Sequence, residues 1–162
     1  MVKQLKRILV LEDIEANANL IRFSLETISG FEVTHVSDAR SAVECFNTSA
    51  YDLCLFDHLM PGMTGLDAMS EIREAGNADQ VPFVFLTARS DPTNRKRLLD
   101  RGAAAVVAKP FDIMLLGSQL LDVYHAGSQI DGDTGDPAAT TAGESVSGVT
   151  PAGRTKSDYR RF

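Results

Sequence analysis

Residues 51–66 read YDLCLFDHLMPGMTGL, and this stretch decides the fold. The apolar run Leu53–Phe56 ends in Asp57, a turn follows at His58-Leu59-Met60-Pro61-Gly62, and apolar residues resume at helical spacing after Gly65. A short apolar run bounded by turn signals reads as a fully buried strand. A carboxylate at its carboxyl end has a fixed backbone and a side chain that meets solvent. In open parallel α/β sheets ligands bind along that edge. Asp57 is therefore placed for chemistry, and the other residues of interest are those that converge on it.

The same design occurs earlier. Arg7–Leu11 (RILVL) is apolar and ends in Glu12 and Asp13. Ile14, Ala18, Ile21, Leu25 and Ile28 then recur at steps of three and four, an amphipathic helix that stops at Ser29-Gly30. Phe31–Val36 alternates and suits a second strand with one face partly wet. Ser37 or Asp38 can cap a helix that turns Ala39, Ala42, Val43 and Phe46 inward. Leu66, Met69 and Ile72 mark a third helix ending near Gly76, and FVFL leads to a fourth strand end at Thr87-Ala88. Ser90-Asp91-Pro92 starts a short basic helix with Arg95, Lys96, Arg97 and Arg101. Ala104–Ala108 is a fifth strand, followed by Lys109-Pro110-Phe111 and a last helix carrying Ile113, Leu116, Leu120 and Val123. Strands alternating with helices at this spacing predict right-handed crossovers and a doubly wound parallel α/β sheet. Strand carboxyl ends share one edge of such a sheet, so Glu12-Asp13, Asp57, Thr87 and Lys109 are expected on one rim.

Composition bounds the rest. The chain has 162 residues, enough for one domain with a substantial core, and its 44% hydrophobic and 23% charged content is that of a globular protein. A net charge of −6 argues against non-specific nucleic-acid binding. No apolar run approaches the ~20 residues of a membrane span. The basic start MVKQLKR leads into an apolar run too short for a signal peptide. Cys45 and Cys54 lie among apolar neighbours and read as buried free thiols of a reducing compartment, which makes a cytoplasmic location the expectation. After His125 apolar periodicity ends and Gly, Ser, Thr, Ala and Asp dominate. Such a segment buries too little surface to offset its ordering entropy. Residues 4–125 are read as the folded domain and 126–162 as a disordered polar tail.

If the first and third strands are neighbours, Glu12, Asp13 and Asp57 meet. Two carboxylates about 4 Å apart repel by roughly 4 kcal/mol at an effective dielectric near 20. Either one takes up a proton or a cation sits between them. A hard divalent ion with oxygen ligands answers the repulsion, and Mg²⁺ commonly uses one or two carboxylates, waters and phosphate oxygens. Lys109 adds a positive charge and Thr87 a hydroxyl. A metal, an ammonium and a hydroxyl around one carboxylate suit a phosphoryl group, and carboxylates are known to form aspartyl-phosphates.

These residues carry a family resemblance. The acidic pair after the first strand, the DLCLFDHLMPGMTG run, LTA at 86–88 and KPF at 109–111 resemble the receiver domain of two-component response regulators, over residues 4 to about 125. The resemblance implies a flavodoxin-like (βα)5 fold with strand order 2-1-3-4-5. It implies Asp57 as phosphoacceptor, with Glu12, Asp13, Asp57 and the Leu59 main-chain carbonyl holding Mg²⁺. By the same resemblance Lys109 contacts the phosphoryl oxygens, through a cis peptide to Pro110, and Thr87 moves to bond them. A histidine kinase or histidine phosphotransfer protein is the implied donor. The face of helix four, strand five and helix five is the implied contact for a protein target or a second copy. At the strand-five position where the family often has a Tyr or Phe, this chain has Val106, a β-branched residue that cannot swing inward. Backbone shifts in the loops after strands four and five are then the expected route of the signal. Leu59 and Arg89 are expected to flank the attacking water and shield the phosphoryl group.

The expected function is that of a single-domain response regulator whose output is phosphorylation-dependent protein contact, without direct DNA binding; its own phosphorylation and dephosphorylation are its only chemistry. A phosphate sink or phosphorelay intermediate is the nearest variant, and a phosphate-independent binding module the rival from another class. A phosphatase of the haloacid dehalogenase type needs a second aspartate two residues after the nucleophile, where this chain has Leu59. A flavodoxin-like cofactor binder needs a phosphate loop after strand one, where this chain has acids. His58 reads as a loop histidine, and His35 and His125 as surface residues.

Overall fold

A computed structural model describes residues 3–76, 78–88 and 91–128, Ser128 by its backbone alone. Five strands form one sheet in the order β2-β1-β3-β4-β5: β1 (Arg7–Leu11), β2 (Glu32–Val36), β3 (Leu53–Asp57), β4 (Phe83–Thr87) and β5 (Ala105–Ala108). All neighbouring pairs are parallel. The helices are α1 (Glu15–Arg22), α2 (Ala39–Thr48), α3 (Gly65–Glu74), α4 (Pro92–Asp100) and α5 (Leu116–Ser128). The flavodoxin-like order expected from the sequence is the one found. Of the segment read as a disordered tail, 126–162, residues 126–128 are helical, while 129–162 lie outside the described residues, as does Arg89, read as the water-flanking cation. Helix α5 continues through the 125/126 boundary drawn from composition.

Strand alternation divides the core in two. Leu9, Leu11, Cys54, Phe56, Phe83, Phe85 and Val106 face α2, α3 and α4. Ile8, Val10, Leu53, Leu55, Val84, Leu86, Ala105 and Val107 face α1 and α5. The central strands β3 and β4 are buried at every position because both faces are covered, while β2, at an edge, is only half-buried. Side chains cap the starts of α2, α3 and α4, at Asp38 and Asp91 as the sequence led us to expect. Asp38 accepts the Ser41 N–H at α2, Thr64 and Asp67 form a capping box at α3, and Asp91 accepts the Asn94 N–H with Pro92 in the first turn of α4.

Helix one departs from the regular pattern. After Arg22 it widens into a π-helical segment, Phe23–Ile28, closed by the Ser29 N–H on the Ser24 carbonyl. This turns Ser24 inward, where its hydroxyl donates to the carbonyl of Ile113 in the β5–α5 loop, and leaves Phe23 exposed. The cause is tertiary: a buried hydroxyl must find a partner. Cys54 is buried and Cys45 half-buried, both as free thiols. Burial pushes the Cys54 thiol well up in pKa and leaves it inert.

Candidate functional site

Strand register assembles the site. Leu11 pairs with Phe56, Asp57 with Leu86 and Thr87 with Ala108, so the residues at and just past these ends line one rim. Main-chain bonds extend the ladder beyond the strands. The Glu12 N–H donates to the Val36 carbonyl (3.1 Å), the His58 N–H to Leu86 (2.9 Å) and the Lys109 N–H to Thr87 (2.9 Å). The groups that meet here therefore stand on anchored backbone rather than on free loops.

One carboxylate oxygen from each of Glu12, Asp13 and Asp57 lies within 4.8 Å of the others. Glu12 and Asp57 are buried and Asp13 is exposed, so the cluster has two inner acids and one at its mouth. Lys109 bridges the inner pair, with Nζ 2.8 Å from Glu12 Oε2 and 3.1 Å from Asp57 Oδ2. The Ile14 N–H donates to Glu12 Oε1 (3.1 Å), and the Leu59 N–H donates to Asp57 Oδ1 (3.2 Å). Burial raises the Asp57 carboxyl pKa; Lys109 opposes this and Glu12 adds to it, and the balance lies above the ordinary value. Burial draws the Lys109 ammonium down, but its bonds to Glu12 and Asp57 outweigh that, and it titrates above the ordinary lysine value. Lys109 is thus a fixed cation. The Lys109–Pro110 peptide is cis.

Thr87 is fully buried at the end of β4, and its Oγ1 accepts from Asn94 Nδ2 at 3.4 Å. Leu59 is about half exposed beside Asp57. The structure therefore gathers Glu12, Asp13, Asp57 and Lys109 directly, sets Thr87 on the adjoining strand end, and ties Leu59 to Asp57 through its N–H. The donor set is all oxygen and anionic, which suits a hard divalent cation such as Mg²⁺ and not a soft metal.

Three residues near the site escaped the sequence reading. His35, on β2, is half-buried, and its Nε2 lies 2.8 Å from the Glu12 carbonyl oxygen. It was expected at the surface, and the β1–β2 register instead turns it to Glu12. His58, read as a loop histidine, is buried with its ring edge-on to Phe85 at 6.4 Å between centroids. Gly65 opens α3 so close to β3 that a Cβ there would overlap the Asp57 carbonyl oxygen. A glycine at a helix start directly after a turn was the available signal for that approach.

The sequence matches the response regulator receiver domain family over residues 8–120. It is similar to the sensory transduction protein RegX3 of Mycolicibacterium smegmatis, 32% identical over 136 residues that make up 84% of this chain and 58% of that protein. It is also similar to the phosphate regulon transcriptional regulatory protein PhoB of Rhizobium meliloti, 35% identical over 66% of this chain and 47% of that protein. The chain spans about half the length of the curated relatives it matches. Among solved structures it resembles the receiver domain of the sensor histidine kinase PA1611 of Pseudomonas aeruginosa, which has a magnesium ion coordinated in its active-site cleft. The TM-score is 0.67 at 32% identity, covering 74% of this chain and 98% of that one. The receiver domain of the Francisella response regulator 1452 matches with a TM-score of 0.68 at 26% identity, covering 75% and 98% of the two chains. A parallel sheet in the order 2-1-3-4-5, an acidic rim closed by a lysine, and a family match across most of the domain agree, and the chain belongs to the response regulator receiver domains, the regulatory phosphoacceptors of two-component systems.

Proposed function

We propose that this chain accepts a phosphoryl group on Asp57 from a histidine kinase or histidine phosphotransfer protein and signals through phosphorylation-dependent protein contact. The observation that carries the reading is the Lys109 bridge between Glu12 and Asp57 beside the exposed Asp13. In the reaction an Asp57 carboxylate oxygen bonds to phosphorus as the phosphorus–nitrogen bond of the donor breaks, and the departing imidazole keeps the electron pair. Glu12, Asp13, Asp57 and the Leu59 carbonyl would hold Mg²⁺. Bound there, the ion supplies charge neutralisation for the transferring phosphoryl oxygens. Lys109 binds one of those oxygens and Thr87 donates to another. Catalysis is positioning and charge, so anchored strand ends suit it.

The exposed apolar residues Leu20 and Phe23 on helix one, with Met114 and Leu115 before α5, offer a surface on which a donor protein can pack. The Ser24–Ile113 hydrogen bond joins these two segments. Output through the face of α4, β5 and α5, to a protein target or a second copy, fits the basic exposed residues of α4. We read the domain as acting in the cytoplasm, with a phosphate sink or phosphorelay intermediate as the nearest variant. Among the described residues no helix is long and apolar enough to cross a membrane. A net charge of −6 leads us to assign it no direct DNA contact. Incubation with acetyl phosphate, read by intact-mass spectrometry, tests the chemistry. One phosphoryl group is expected in Mg²⁺, none in chelator and none on Asp57→Asn. A folded wild type that takes none from several donors would make phosphate-independent binding the better reading.

A further inference from the structure

Asn94 is a polar residue in a core position. It lies in the first turn of α4 with 9% of its surface exposed, and its side-chain Nδ2 donates to Thr87 Oγ1 at 3.4 Å. Helix capping does not account for it. Asp91 already caps α4 by accepting the Asn94 N–H at 2.9 Å, and a residue at this point of a capping box would turn its side chain back to the N-cap backbone. The Asn94 amide turns instead to the end of β4. Burying an amide is unfavourable unless its hydrogen bonds are made, so a threonine hydroxyl as partner calls for a reason beyond filling space.

The reason lies in the polarity of the bond. A hydroxyl has one proton to give and two lone pairs to receive. An amide N–H on Oγ1 occupies a lone pair and commits the Thr87 hydroxyl to donate its proton elsewhere. Thr87 follows Leu86, the register partner of Asp57, so it stands beside the phosphoacceptor. We propose that Asn94 is the positioning residue of Thr87: it holds the hydroxyl as a hydrogen-bond donor for a phosphoryl group on Asp57 and ties that hydroxyl to α4. This inference rests on the receiver reading of the site. It also gives the chain a link from Thr87 to α4 that Val106, which is buried and unable to swing, does not provide. Asn94→Asp is nearly isosteric and reverses the bond, because a carboxylate accepts the only proton of Thr87.

The test is a double-mutant cycle on initial rates of phosphoryl addition from acetyl phosphate in saturating Mg²⁺, followed by intact mass. The chains are wild type, Asn94→Asp and Asn94→Ala, each with Thr87 and with Thr87→Ala. With Thr87 present, Asn94→Asp is expected to slow the reaction at saturating donor by about tenfold or more, with the half-saturating donor concentration unchanged, and Asn94→Ala by a few-fold. With Thr87→Ala, both substitutions at Asn94 are expected to change the rate by less than about twofold. Equal rates for wild type and the Asn94 variants would overturn the proposal. So would losses of the same size in the Thr87→Ala background, which mark a charge or packing effect that does not pass through Thr87. Urea unfolding checks each fold, and if Asn94→Asp does not fold, Asn94→Ala decides by the same comparison. A folded wild type without adduct overturns the receiver reading itself and this inference with it. A wild type that is phosphorylated while Asn94 proves indifferent overturns only the role of Asn94.

Discussion

Replacing Lys109 by Met removes the cation between two buried carboxylates and keeps most of the stem that packs around it. The oxygens of Glu12 and Asp57 lie within 4.8 Å of each other, where two full charges repel by roughly 3.5 kcal/mol at an effective dielectric near 20. Lys109 offsets this from 2.8 and 3.1 Å, and removing one partner of a buried ion pair costs about 3–5 kcal/mol. Proton uptake by Asp57 caps the loss, so Lys109→Met is expected to be destabilised by about 2–3 kcal/mol at neutral pH in chelator. The pH dependence has a definite sign. Asp57 titrates above its ordinary value in the folded protein, through burial first, opposed by Lys109 and reinforced by Glu12. A carboxyl with a raised folded pKa binds more protons in the native state, so stability falls as pH rises from the unfolded value through the folded one. Without Lys109 the folded value rises further and the window extends upward. The deficit of the variant against wild type therefore shrinks as pH falls from neutral into the acid range. Saturating Mg²⁺ restores part of the deficit by supplying the missing positive charge. Urea unfolding followed by circular dichroism, in chelator and in Mg²⁺ across that range, measures all of this. A deficit below about 0.5 kcal/mol, or one indifferent to both pH and Mg²⁺, would refute the account of Lys109 as the neutralising cation.

The remaining predictions concern how the frame holds the site. Gly65→Ala places a Cβ on the Asp57 carbonyl oxygen, so α3 must move away from β3; a loss of about 1–3 kcal/mol in urea unfolding and slower phosphoryl addition from acetyl phosphate are expected together. Gly117→Ala collides with Ser29, where helix one packs on α5, and is expected to cost about 1–3 kcal/mol, largely recovered when Ser29→Gly is added. Asp38→Ala removes the α2 cap and should cost about 1 kcal/mol at neutral pH. The backbone and hydroxyl of Ser41 hold the Asp38 carboxyl below its ordinary pKa, so its contribution is present above the unfolded value and is lost as pH falls through the folded one. The difference between Asp38→Ala and wild type should therefore close in acid. His35→Phe removes the side-chain bond to the Glu12 carbonyl and is expected to weaken Mg²⁺ binding by about tenfold in calorimetric titration, with the fold retained.

Much of this architecture was legible because it rests on local signals. Leu53–Phe56 is apolar throughout, as a strand covered on both faces must be, and its neighbours in sequence alternate between the two halves of the core. Polar residues at four strand ends needed only the parallel rule to converge on one rim. What could not be read was set by contacts distant in sequence. The three- and four-residue spacing on helix one predicts regular turns through Ile28, yet Ser24 finds the Ile113 carbonyl and the helix widens to let it. Asn94 sits in a basic helix whose apolar pattern is weak, and nothing local shows that its amide turns inward to Thr87. Glu12 and Asp13 are adjacent acids in the sequence, but only the strand geometry makes one the buried partner of Lys109 and the other the exposed lip of the site.

The central claim is that Asp57 is the residue that becomes phosphorylated. An acyl phosphate is reduced by borohydride to the alcohol, which converts a phosphorylated aspartate to homoserine, whereas a phosphoester is untouched. Peptide mapping of the acetyl-phosphate-treated chain after borohydride should find homoserine at position 57, dependent on Mg²⁺. Homoserine at position 13, its reduced counterpart at Glu12, or a phosphoryl group that survives reduction on another side chain would contradict the account.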